Sequence, residues 1–95
     1  MGKIKTGIKM KLNPEQSRKV QEICFENGIG WMTEKEVIQY TDKTLLFIDE
    51  NISFIGKDEV EDFLEDKNEE VSAELFIRTN GTCVEFRKFN RNYIF

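Results

Sequence analysis

The sequence predicts a small α+β domain: a mostly antiparallel sheet of four to five strands, with one main helix (about 14–27) across one face and a short acidic helix (about 58–65) at the edge. Three observations carry this. Lys alternates with apolar residues from Lys3 to Leu12, the period of two that a half-buried strand requires. Thr44-Leu45-Leu46-Phe47-Ile48 is apolar on both faces and marks a central strand. Between them, Asn13-Pro14 opens a segment whose apolar residues recur at the spacing of one helical face. The 95 residues suit one domain, 1–95, with a core modest enough that a homodimer is expected.

In the first strand, Ile4, Ile8, Met10 and Leu12 form the inward face and Lys3, Lys5, Lys9 and Lys11 the outward one, with Gly7 as a bulge or turn. The helix runs from Pro14 to Asn27, since Asn13 can cap it, Pro14 lacks only a donor that would be orphaned, and Glu15 suits the first turn. Val20, Ile23 and Cys24 face inward, and Gly28 ends the helix in the left-handed conformation. Ile29 to Met32 reads as a short strand that brings Trp31 into the core. Thr33 to Glu36 reads as a polar turn and Val37 to Tyr40 as a further short strand. After the central strand, Asp49-Glu50-Asn51 turns the chain and Ile52 to Ile55 returns beside it.

Next comes an unusual concentration of charge. Asp58, Glu59, Glu61, Asp62, Glu65, Asp66, Glu69 and Glu70 stand against a single cation, Lys67, a local charge of −7 in a chain whose total is −4. Val60, Phe63 and Leu64 give a helix from Asp58 to Glu65 one narrow apolar stripe, and Asp66 to Glu70 reads as an acidic loop. Ser72 is a candidate N-cap for a short helix through Ile77 that ends at Asn80-Gly81; a hairpin turned through the same Asn-Gly competes with it. Cys83 to Phe86 reads as a last strand and Lys88 to Phe95 as a basic, aromatic tail.

The chemistry available is limited. There is no histidine, which removes the usual general base and the commonest metal ligand. The glycines form neither a P-loop nor a GxGxxG turn. Asp49-x-Asn51-x-Ser53 starts like a calcium loop, but Phe54 stands where the turn-forming Gly belongs and Val60 where the bidentate Glu belongs. Cys24 and Cys83 are expected as free thiols, and neither catalysis nor a cofactor or metal is expected. No apolar run approaches the roughly 20 residues that span a bilayer, so a cytoplasmic protein without membrane contact is expected. MGKIKT fits the loose myristoylation pattern, but a strand starting at Lys3 accounts for the same residues. Direct nucleic-acid binding is not expected, since the net charge opposes it. What remains is binding: the eight carboxylates can solvate the domain, or they can steer it toward a basic partner surface.

PEQSRKVQEICFENGIGW (Pro14 to Trp31), the Leu-Phe-Ile strand, the acidic helix and EEVSAELF (Glu69 to Phe76) together resemble short uncharacterised proteins of tailed bacteriophages. The likeness spans about residues 8 to 77. It implies a phage accessory protein of anti-defence type, similar to acidic, dimeric anti-restriction proteins that look like DNA to a nuclease. The matching acids are Glu59, Asp62, Glu65, Asp66, Glu69 and Glu70, although the net charge here is milder than in such mimics. The resulting expectation is an inhibitor of a host restriction or CRISPR-type nuclease in the host cytoplasm. Two alternatives stand beside it. One is a sponge that sequesters a signalling nucleotide in a dimer pocket through Lys3, Lys5, Arg87, Lys88 or Arg91, and the other is a non-catalytic subunit of the phage particle.

Overall fold

A computed structural model describes residues 4–32, 36–54 and 60–84. Its elements in chain order are β1 (Ile8–Lys11), α1 (Pro14–Glu26), β2 (Leu45–Ile48), β3 (Ile52–Phe54), α2 (Val60–Glu65), β4 (Glu69–Glu70) and α3 (Ala73–Arg78). The strands form one four-stranded sheet in the order β3-β2-β1-β4. The α+β class, the main helix and the acidic helix are as the sequence predicts. The sheet is mixed rather than wholly antiparallel: β2 pairs antiparallel with β1 and β3, whereas β4 runs parallel to β1 with Ile8 opposite Glu69.

Helix α1 forms where its caps place it. The Asn13 side chain accepts the Gln16 N–H at 2.7 Å while the Gln16 side chain accepts the Asn13 N–H at 3.0 Å, so two otherwise orphaned donors are satisfied reciprocally. At the other end Gly28 donates to Phe25 and Ile29 to Cys24, a Schellman closure. The helix buries Ser17, Val20, Gln21, Ile23 and Cys24 against the sheet. Helix α3 repeats this design, with Ser72 accepting from the Leu75 N–H and Gly81 donating to the Phe76 carbonyl. The competing hairpin is thereby excluded.

On the α1 side, Ile8, Met10, Leu46, Ile48 and Ile52 meet Val20, Cys24, Trp31 and Phe76 in one cluster. The opposite face carries α2, not open solvent. Phe63 is fully buried there, 5.8 Å from the Phe47 ring. Leu64, expected in the same stripe, is exposed, because a helix of six residues resting on one ring turns its next side chain away from the sheet.

Other expectations are corrected. Glu69 and Glu70 are a strand, since the open edge of β1 needs backbone partners and backbone pairing is indifferent to side-chain charge: Glu69 donates to Gly7 and Val71 to Lys9. Ile29 to Met32 contributes only one bridge, Trp31 to Ile52. Val37 to Tyr40 is not a strand; the Gln21 side-chain amide bonds both peptide groups of Gln39 and takes the place of a strand partner. Cys83 and Val84 are not in a strand either: Cys83 has φ 59° and its N–H is held by the Thr79 hydroxyl. The expected turn at 33–35, the strand ends at Ile55, Glu85 and Phe86, and the tail from Lys88 lie outside the described residues.

Gly81 shows how tightly the first segment is fixed. It has φ 92°, its carbonyl accepts the Lys5 N–H at 2.7 Å, and a Cβ there would overlap the Ile4 side chain. Gly7 also has a positive φ, 70°, but open space beside it. Gly81→Ala should therefore cost more than about 2 kcal/mol, combining strain with overpacking, and Gly7→Ala only about 1 kcal/mol. Urea denaturation of the two variants checks the order.

An acidic face held by a buried lysine as candidate functional site

Of the eight carboxylates singled out by sequence, Asp58 and Glu59 lie outside the described residues. Glu61, Asp62 and Glu65 are exposed on α2. Asp66 is half-buried and its carboxylate caps the Asn68 N–H at 2.7 Å, which makes it part of the turn out of the helix. Glu69 and Glu70 are exposed on β4, at one edge of the sheet, and Glu69 pairs with Lys5 at 3.3 Å. An exposed pair of this kind contributes little, roughly 0–1 kcal/mol. The structure thus brings six of the eight into one stretch of surface, three of them on a helix and without an ion pair among the described residues.

A residue expected in solvent holds that helix in place. Lys9 is 5% exposed. Its ammonium donates to the carbonyl oxygens of Phe63, Leu64 (3.4 Å) and Asp66 (2.9 Å) and lies 4.9 Å from the centre of the Phe63 ring. Those carbonyls are the C-terminal end of α2, where the helix dipole is negative and no basic residue of the helix itself stands. Lys9 therefore satisfies orphaned acceptors, offsets the repulsion of the acids above it and ties α2 to β1. Sequence reasoning missed it because Lys9 occupies one of several equivalent outward positions in the alternation; only a large ring arriving from Phe63 distinguishes it. Replacement by Met keeps the apolar stem but leaves the carbonyls unpaired, so Lys9→Met should lose about 2–4 kcal/mol. Limited proteolysis should then cut first between Val60 and Glu65, while Lys11→Met leaves the pattern unchanged.

A second feature lies at the β3 edge. Trp31, Tyr40 and Phe54 line a groove of about 560 Å³ whose rim includes Asp49, Glu50, Asn51 and Ser53. Trp31 is buried as expected, and its indole N–H donates to the Gln21 carbonyl oxygen at 3.0 Å. Gln21 also donates to Ser17 and grips Gln39, so this fully buried amide uses both ends of its side chain. Sequence reasoning placed Val20, Ile23 and Cys24 on the inward face and missed Gln21, as it missed the meeting of Trp31 with Tyr40 and Phe54. The apparent calcium-type acid Asp49 instead accepts the Asn68 side-chain N–H at 3.1 Å.

The thiols offer little chemistry. Burial pushes Cys24 up to about 12, and burial also raises Cys83, with nearby Lys5 opposing it. Both are held as thiols at neutral pH, and the thiolate is the nucleophilic form. Of the cations proposed for nucleotide capture, only Lys5 is among the described residues, and it is paired with Glu69. No group of three or more His, Cys, Asp or Glu among the described residues is placed to hold a metal ion. No helix among them is long and apolar enough to cross a membrane. Comparison with protein-family models, curated proteins and solved structures finds no match.

Because the folded state raises the Cys24 value, the protonated thiol stabilises the fold below the unfolded value and that contribution is lost as pH rises. Stability should be full below the ordinary thiol value of 9.0 and fall toward about 12, by about 1.4 kcal/mol per pH unit. Denaturation at pH 8 and pH 10.5 should show a shallower loss in Cys24→Ala than in the parent chain.

Proposed function

We propose that this protein is a stoichiometric inhibitor of anti-defence type, which presents the carboxylates of α2 and β4 to the basic, nucleic-acid-binding surface of a nuclease in the host cytoplasm. The observation that carries this reading is the fixed display of Glu61, Asp62 and Glu65 on a helix anchored from beneath by Lys9 and Phe63. Carboxylates needed only for solubility require no anchor, whereas a surface that imitates a phosphate backbone must hold its charges in register with a partner. The resemblance to phage accessory proteins and the separation of charge along the chain support the same conclusion.

Affinity capture from bacterial lysate with stepwise salt elution should retain a nucleic-acid-processing enzyme and release it as salt screens the contact. The purified enzyme then provides the test. Replacing Glu61, Asp62 and Glu65 together by Lys should weaken inhibition at least about tenfold, since close charge pairs across an interface each contribute on the order of 1.5 kcal/mol or more. Equal inhibition by the charge-reversed protein, with an unchanged circular dichroism spectrum and melting curve, would remove this mechanism.

A further inference from the structure

The groove beside β3 and the acidic β4 lie at opposite edges of the sheet, with the hydrogen bond from Asn68 to the Asp49 carboxylate running between the groove's rim and the turn before β4. We infer that the groove is a guanidinium-binding site, which receives an arginine side chain of a protein partner on the exposed rings of Tyr40 and Phe54, backed by Trp31, with Asp49 and Glu50 as counter-charges.

Ring geometry is the first support. Trp31 and Tyr40 lie 5.1 Å apart at 71°, Trp31 and Phe54 6.3 Å apart at 69°, and Tyr40 and Phe54 4.9 Å apart at 45°. Rings at these distances pack against one another, so a guanidinium stacks on the outer faces of the two exposed rings, Tyr40 and Phe54, whose negative quadrupole attracts a cation. Phe54 already attracts a cation, the Lys43 ammonium 5.2 Å from its centre, and an arriving guanidinium must displace that ammonium or take the other face. Asp49 and Glu50, both exposed, supply formal negative charge beside the rings.

Preorganisation is the second. Gln21 fixes the Trp31 indole and grips Gln39 on both sides, and the next residue, Tyr40, is held at φ 59°, a conformation that a bulky residue adopts only when its surroundings impose it. Tyr40 is nevertheless 42% exposed and Phe54 36% exposed, so apolar surface is maintained in contact with water. Guanidinium fits better than ammonium because it is planar, weakly hydrated and stacks on aromatic faces. A protein source follows from the rim, where Asn51 and Ser53 offer neutral hydrogen-bonding groups to a flanking peptide backbone.

Trp31 is the only tryptophan in the chain, so its fluorescence reports on the site directly. The full-length protein would be titrated at low salt with N-acetyl-arginine amide, with the peptide Gly-Gly-Arg-Gly-Gly amide, and with the citrulline version of each, which has the same shape without the charge. A saturable change is expected with both arginine compounds, tighter for the peptide, and none with citrulline. Phe54→Ala, at an exposed position, and the double variant D49N/E50Q should each weaken binding about fivefold, the equivalent of one cation–π or exposed ionic contact. The site is disproved as a guanidinium site by no saturable response, by an equal response to citrulline, or by unchanged affinity in both variants. Tighter binding of the single amide than of the peptide would overturn the assignment to a protein partner. The Lys substitutions on α2 leave the β3 edge untouched, so this result stands or falls separately from the inhibition assay.

Discussion

The buried ammonium of Lys9 is the interaction on which the acidic half of the molecule depends. A six-residue helix has no independent stability in water, because nucleation costs more than so few hydrogen bonds return, and carboxylates crowded on its surface repel one another. Two contacts compensate: Phe63, whose burial is worth on the order of 1.5–3 kcal/mol, and Lys9, which meets the helix at its negative end. A lone charge in this position would be prohibitively expensive to desolvate. Three carbonyl dipoles and an aromatic face make it tolerable, and they do so only when α2 lies at one attitude to the sheet. The cation that holds the helix also fixes the direction in which its acids point.

The other face of the sheet is organised by a neutral group of comparable importance. Gln21 is fully buried at the middle of α1, and its amide substitutes for a strand by bonding both the N–H and the carbonyl of Gln39. Because a buried amide left unpaired is costly, the position of the 38–40 segment and the orientation of Trp31 are settled together. The two sheet edges consequently differ. One ends in aromatic rings; the other ends in Glu69 and Glu70, whose charges discourage a further strand from adding there.

The legible parts of the fold are those in which local chemistry agrees with the final structure. Asn13-Pro14 and Gly28 bound α1 to within one residue, Ser72 and Asn80-Gly81 bound α3, and the two-sided apolar run from Leu45 is the strand it resembles. What could not be read is what depends on long-range partners. Lys9 has the same local pattern as Lys11, yet one lies beneath a helix and the other in water. Glu69 and Glu70 have poor strand propensity and become a strand because an edge of β1 stands open beside them. Of the candidate site, the identity of the acids was visible in the sequence; their anchoring was not, and the aromatic groove, assembled from residues 31, 40 and 54, was not visible at all.

The parallel pairing of β4 with β1 has a consequence for how the chain reaches this structure. Of all the elements, β1 is made earliest, yet its partners are Leu45 to Ile48 on one side and Glu69 to Glu70 on the other, and Lys9 waits for carbonyls 54 to 57 positions further on. Large loops must close before the inner strand has any neighbour, and loop closure of this kind slows folding far more than it alters final stability. During synthesis, α1 and the β2–β3 hairpin can gain local structure as they emerge, whereas the alternating lysines of the first strand remain exposed until almost the whole domain has been made. Their charge then has a temporary role, keeping an unpaired inner strand apart from other nascent chains until its own sheet is available.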